Sequence, residues 1–356
     1  MRTMRRRTFL KTLGATMLAA GSAPAFIRQL GAARKVTFTL PWLVVGGHAF
    51  EFVAQKKYWP ERGLDVQIFR GYGSADACKK VAAGLFMFGE ASYGPLVATA
   101  AAGGDLVGFG VKLQQNPMCL VCRTDKGIQR PVDINGKRVA AAPGSGATQL
   151  LPAFYASTGI DPKKVNVISV DPAAKVPALM ADRADCIEIY YVSMASLTRQ
   201  RPVVTFLFGD YGLPMLDLGL IAPTKILQSE PDLCQALFDG AMEGLKFQLL
   251  HPDETLEIMM EAHPELRSSP RDILETDLGR TNYLCLDPVV KEKGLGYMKE
   301  EDMRATRENV LKYMGIAKAP PTDALFTNRF VGKVKMSEAE YRQASSLAAK
   351  YAPKMA

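Results

Sequence analysis

At 356 residues, 48% apolar and 22% charged, the chain has the composition of one large or two medium globular domains, which excludes disordered and fibrous classes. Its formal charge of +8 is largely local, because Arg2, Arg5, Arg6, Arg7 and Lys11 fall within the first 25 residues, a stretch without a single acid. The remainder is near +3 and holds no Lys/Arg block with interleaved aromatics, so no nucleic-acid partner is expected.

The basic cluster leads into a short apolar run, Thr12 to Ala20, about half the roughly 18 residues a membrane span needs. Arg6-Arg7 ahead of Thr8-Phe9-Leu10-Lys11 has the form of a twin-arginine export signal, and Ala23-Pro24-Ala25 offers a small-residue cleavage site. Residues 1–25 are therefore expected to be a signal peptide and the mature protein periplasmic. No cysteine follows the run to accept a lipid.

Period and punctuation then predict a strand Val36–Leu40, a glycine loop, and a helix from Ala49 to Trp59. After the Gly63-Leu64-Asp65 turn come a strand Val66–Phe69, a helix ending at Gly84, and a strand Phe86–Ser92. The same order returns about a hundred residues later. It runs strand Arg138–Ala142, loop "PGSG", helix Thr148–Thr158, turn Gly159-Ile160-Asp161, strand Val165–Val170, helix Ala173–Ala181 and strand Asp185–Tyr191. From Pro231 the chain becomes helical, with apolar residues three and four apart and acids near the helix starts.

Two copies of one unit imply two similar α/β lobes, each a mostly parallel sheet flanked by helices, with ligands outside the strands' carboxyl ends. The expected lobes are 34–116 joined with 227–356, and 117–226, the chain leaving the first near Asn116 and returning near Ala222. Two crossings make a hinge, and facing strand ends make a cleft.

Six cysteines and Cys119-x-x-Cys122 raise disulfide and metal readings. "MCLVCR" reads as a strand, however, and three steps of about 3.3 Å put Cys119 and Cys122 roughly 10 Å apart on opposite faces. Buried thiols are expected. His251 and His263 each precede a proline in charged helical surroundings without a ligand set at metal spacing, and they read as structural or surface residues.

The candidate site collects at the strand ends. Trp42, Tyr72, Tyr93, Tyr190 and Tyr191 offer flat apolar walls with polar rims. His48, Ser74, Ser92, Ser145 and Thr148 add polar groups, and Gly146 follows Ser145 in a glycine loop whose backbone N–H groups suit an anion or a polar acceptor. Glu188 shares a strand face with Tyr190 and reads either as an acceptor for an amine-bearing ring or as one partner of a lobe-stabilising ion pair. Gly144-x-Gly146 lacks the third glycine of a nucleotide fingerprint, since Gln149 stands there.

These residues carry a resemblance. "FEFVAQKKYWPERGLDVQIF", "VAAGLFMFGEASYGPL", "DINGKRVAAAPGSG", "STGIDPKKVNVISVDPAAKVPALMADRADCIEIYY" and "TDALFTNRFV" resemble the solute-binding proteins of bacterial ABC importers, in the family serving thiamine pyrimidine precursors, aliphatic sulfonates, taurine and nitrate. The resemblance implies a type II periplasmic-binding-protein fold, a small-molecule ligand, a permease with its ATPase complex as partners, a monomer and no cofactor. In the pyrimidine-precursor branch a tryptophan after the first strand precedes a histidine at the helix start, and Trp42 and His48 match it. Fungal members of that branch make the pyrimidine themselves from a histidine and lysine-bound pyridoxal phosphate; Ala91 and Pro95 stand here where those two residues would, and the fungal cysteine-rich segment is absent. His48 is thus expected to be either a ligand contact or a residue held at the helix start. The competing function is a synthase-like enzyme of the same fold.

Overall fold

The computed structural model describes residues 33–143 and 145–352, so the expected signal peptide and Gly144 lie outside the described residues. Ten strands form two five-stranded sheets. In order across the first lie β2 (Leu64–Phe69), β1 (Arg34–Thr39), β3 (Phe88–Ala91), β10 (Asp217–Ala222) and β4 (Val107–Leu113). The second runs β7 (Asn166–Ser169), β6 (Arg138–Ala141), β8 (Cys186–Tyr190), β5 (Met118–Arg123) and β9 (Val203–Leu207). The two orders are the same pattern: three strands of the duplicated unit lie parallel, and two more join antiparallel pairings beside the third.

The expectation of two α/β lobes with mostly parallel sheets therefore holds: in each sheet four strands run the same way, and a single strand, β10 or β5, runs against them. The reason is the connection between lobes, since β10 and β5 each enter their sheet from the other lobe and so run against β3 and β8. The chain crosses between Leu113 and Met118 and returns between Leu207 and Asp217. That return precedes the one expected near Ala222, because β10 belongs to the first sheet. Both crossings lie at the edge where the strands of the duplicated units end.

Side chains alternate across each strand into two cores that run through both lobes. Phe38, Phe88, Phe109, Cys119, Val121 and Ile187 feed one, while Ala91, Val111, Leu120, Cys122 and Phe206 feed the other. Trp59 is fully buried in the first and donates from Nε1 to the Leu237 carbonyl on helix Pro231–Leu250, tying the duplicated unit to the C-terminal helices. Four cysteines are buried thiols, but Cys122 is not: it forms a disulfide with Cys186. The two stand directly opposite on antiparallel β5 and β8, a proximity across strands that spacing within one strand cannot reveal. Cys119 remains a free thiol on the other face.

Candidate functional site

A cavity of about 300 Å³ opens where the two sheets' ends face one another. The first lobe contributes the loop after β1 (Pro41, Trp42, Val45, Gly47, His48), Gly73 and Ser74 after β2, and Lys112 and Leu113 at the end of β4. From the second come Ser145 and Gly146 after β6, Pro172, Ala173, Lys175 and Val176 after β7, and Ile189 and Tyr190 on β8. Val192, Ser193 and Thr281 also line the cavity, as does Leu218 just past the second crossing, whose φ of 42 is a left-handed conformation that a leucine rarely adopts.

On the first lobe, the glycine loop turns the chain into a helical run that starts at Gly46–His48 and continues through Ala49–Val53. This run buries His48 and, one turn on, Glu51 against β3 and β4. His48 Nδ1 lies 3.1 Å from Glu90 Oε2 and 3.8 Å from Glu51 Oε1. Lys112 Nζ sits 2.5 Å from Glu90 Oε1 and donates to the Gly47 carbonyl at 3.1 Å. Glu51 is fully buried, and neither of its oxygens accepts a hydrogen bond.

Such crowding redistributes protons. Burial and the Glu90 charge push the Glu51 carboxyl up, whereas Lys112 and His48 overcome burial and hold Glu90 well below the usual carboxylate range. Burial opposes the charged His48 ring, yet the neighbouring Glu51 carboxyl and the hydrogen-bonded Glu90 raise its pKa. Lys112 is likewise held up by Glu90 and Glu51 against burial. Donor atoms of His48, Glu51 and Glu90 approach within 4.8 Å, close enough for a metal ion, but the Lys112 ammonium already supplies the cation there.

The second lobe repeats the design more simply. Glu188 stands two residues past Cys186, as Glu90 stands two past Phe88, and Cys186 and Phe88 pair with β6 and β1 in matching register. Glu188 Oε1 accepts from Lys175 Nζ at 2.9 Å and from the Ala142 amide at 3.0 Å, and Oε2 accepts from Ser145 Oγ at 2.9 Å. Lys175 Nζ also lies 5.6 Å from the Trp42 ring of the other lobe. A second bridge sits two residues beyond each glutamate, where Tyr190 OH and Ser92 Oγ are 2.6 Å apart. Gly146 makes this approach possible, since a Cβ there would stand 2.5 Å from the Tyr190 hydroxyl.

Of the residues expected at the site, Trp42, His48, Ser74, Ser145, Gly146 and Tyr190 line the cavity. Ser92 stands behind them, with its amide donating to Ser74 Oγ at 3.1 Å. Glu188 also stands behind, fully buried and bonded within its own lobe, as in the ion-pair alternative for it. Tyr93 is core, its hydroxyl donating to the Gly110 carbonyl at 2.8 Å. Tyr72 is 60% exposed beside Arg70, and Tyr191 donates to the Tyr351 carbonyl; neither lines the cavity, and nor does Thr148. Sequence reasoning missed Lys112, Lys175 and Glu90. The available signal was a lone lysine inside the apolar strand "VGFGVKL" and a glutamate at the same place in both copies of the repeated unit.

The model of the family described as NMT1/THI5 like matches residues 46–255. The chain belongs to this family. This NMT1/THI5-like protein is 24% identical to the taurine-binding periplasmic protein of Escherichia coli over 68% of its own length and 74% of that protein's. It is also 23% identical to the 4-amino-5-hydroxymethyl-2-methylpyrimidine phosphate synthase of Legionella pneumophila, over 66% of its length and 75% of that protein's. Among solved structures, the alkanesulfonate-binding protein from Xanthomonas axonopodis pv. citri superposes with a TM-score of 0.64 at 16% identity, covering 83% of this chain and 99% of that one. The fold is that of the periplasmic binding proteins.

Proposed function

We propose that this NMT1/THI5-like protein is the periplasmic solute-binding component of an ABC importer, which closes its lobes on a small organic ligand and delivers it to a membrane permease with its ATPase. The observation that carries the reading is the cavity itself: about 300 Å³, walled by strand ends from both lobes, with Trp42 and Tyr190 each reaching across. A pocket of this size suits a small ligand, and a site divided between lobes couples its occupation to closure. Export through the Arg6-Arg7 signal places the protein where the reading needs it, and replacing both arginines by lysine should strand the precursor in the cytoplasm.

The decisive experiment takes the small molecule that native mass spectrometry finds on the purified protein and titrates it back. Compaction in small-angle scattering and a higher melting temperature, without turnover, are expected. Trp42→Ala should weaken binding by about 1–3 kcal/mol, roughly ten- to a hundredfold, while leaving the fold intact. The synthase name of one relative favours a second reading, and chemical conversion of the bound molecule would replace the first reading by it.

A further inference from the structure

The cavity sorts its charges. Three basic side chains line it, His48 and Lys112 from the first lobe and Lys175 from the second, together with the hydroxyls of Ser74, Ser145 and Tyr190. Among the described residues no aspartate or glutamate does. The carboxylates stand one layer back: Glu90 behind His48 and Lys112, Glu188 behind Lys175 and Ser145, both fully buried. Each orients its partners. With Nδ1 turned to Glu90, His48 has only Nε2 to offer the cavity, and Lys175 spends a single donor on Glu188, which leaves its remaining N–H groups free to point inward.

From this arrangement we infer that the ligand is an organic anion with a flat apolar body, its acidic head held between the His48–Lys112 pair of one lobe and Lys175 of the other. The inference rests on the solute-binding reading and sharpens it. A cationic ring would meet three basic groups and no free carboxylate, an arrangement that rejects cations by leaving them unpaired and desolvated. A bare inorganic anion would leave most of the cavity unfilled against Trp42, Val45, Val176, Ile189 and Leu218. The shifts lean the same way: Glu90 and Glu188 pair with the two lysines, while Glu51 is pushed toward its neutral form and His48 toward its charged one.

The test is calorimetric titration of the mature protein with four rings of one shape, benzoate, benzenesulfonate, neutral benzamide and cationic benzamidine, and with nitrate as the bodiless anion. At least one ring anion should bind ten times or more tighter than benzamide, benzamidine and nitrate, and the two anions together identify the head group. The pair of substitutions Lys175→Met and Glu188→Gln, made together so that no charge is stranded, should weaken that anion at least tenfold. If this variant fails to fold, the comparison of rings on the unmodified protein stands alone. Tighter binding of benzamide, benzamidine or nitrate, or a neutral or cationic molecule co-purifying in the cavity, overturns the anion assignment while leaving solute binding in place. If no probe binds and nothing co-purifies, both fall.

Discussion

Glu90 and Glu188 occupy equivalent places in two sheets of the same strand order, and each holds a cavity-lining lysine, yet their surroundings differ. Glu188 accepts three hydrogen bonds from its own lobe and is complete. Glu90 instead shares His48 and Lys112 with Glu51, a second buried carboxyl whose oxygens have no hydrogen-bond partner. A repeated fold therefore supplied one framework glutamate twice, and only the first lobe added a surplus acid beside it. Unpaired buried carboxyls are costly, which is why Glu51 takes up a proton more readily than an ordinary glutamate. The second-lobe carboxylate is held by a full set of donors, whereas the first-lobe cluster keeps one carboxyl pushed toward its neutral form.

Removing each glutamate breaks or sharpens that contrast. Glu188→Leu strands Lys175, which has no second carboxylate at ion-pair distance among the described residues, and should cost about 3–5 kcal/mol in denaturant unfolding. Glu90→Leu should cost less, because Glu51 stands ready to ionise beside Lys112. Equal losses would mean that the surplus acid compensates nothing.

The next contrast is covalent. In the second sheet the disulfide Cys122–Cys186 spans 64 residues of sequence, while Cys78 of the first lobe is a free buried thiol. Replacing both bridge cysteines by alanine should destabilise the protein by about 2–4 kcal/mol. Hydrogen exchange should locate the loss in β5 and β8, at the end of the strands away from the cavity, with β1 and β3 little changed. Faster exchange spread evenly over both sheets would contradict this.

The likeness of the lobes was legible in the sequence because it is written in local signals: glycine loops, strand and helix periods, and turns that recur in order. Trp42, His48 and Ser145 could be placed at the site from those signals alone, since the loop after a parallel strand ends where the cleft begins. What stayed hidden was whatever depends on strands from distant parts of the chain meeting within one sheet. Lys112 and Glu90 are separated by β10, which arrives from more than a hundred residues away, so the apolar strand around Lys112 hints at its burial but not at its partner. Cys122 meets Cys186 only through the register of β5 on β8. Tyr93 misled for a related reason: it does sit at a strand end, but the helix it begins, Tyr93–Ala101, turns its ring under the sheet, against Gly108 and Gly219.

The smallest expected effect tests where the two lobes touch. Tyr190 walls the cavity with its ring and bonds Ser92 of the other lobe with its hydroxyl, so Tyr190→Phe keeps the wall and deletes the bridge. One hydrogen bond is worth about 0.5–1.5 kcal/mol net. Because it spans the lobes, its loss belongs to closure and should appear as a roughly two- to tenfold weaker affinity and a more open scattering profile, with the melting temperature of the unliganded protein almost unchanged. Gly146→Ala pushes on the same hydroxyl from the side, since its new Cβ would stand 2.5 Å away. Alone it should also weaken binding, but added to Tyr190→Phe it should cost much less, because the atom it displaces is gone. Additive losses across that double-mutant cycle would show that Gly146 acts through the loop backbone and that the bridge plays no part in closure.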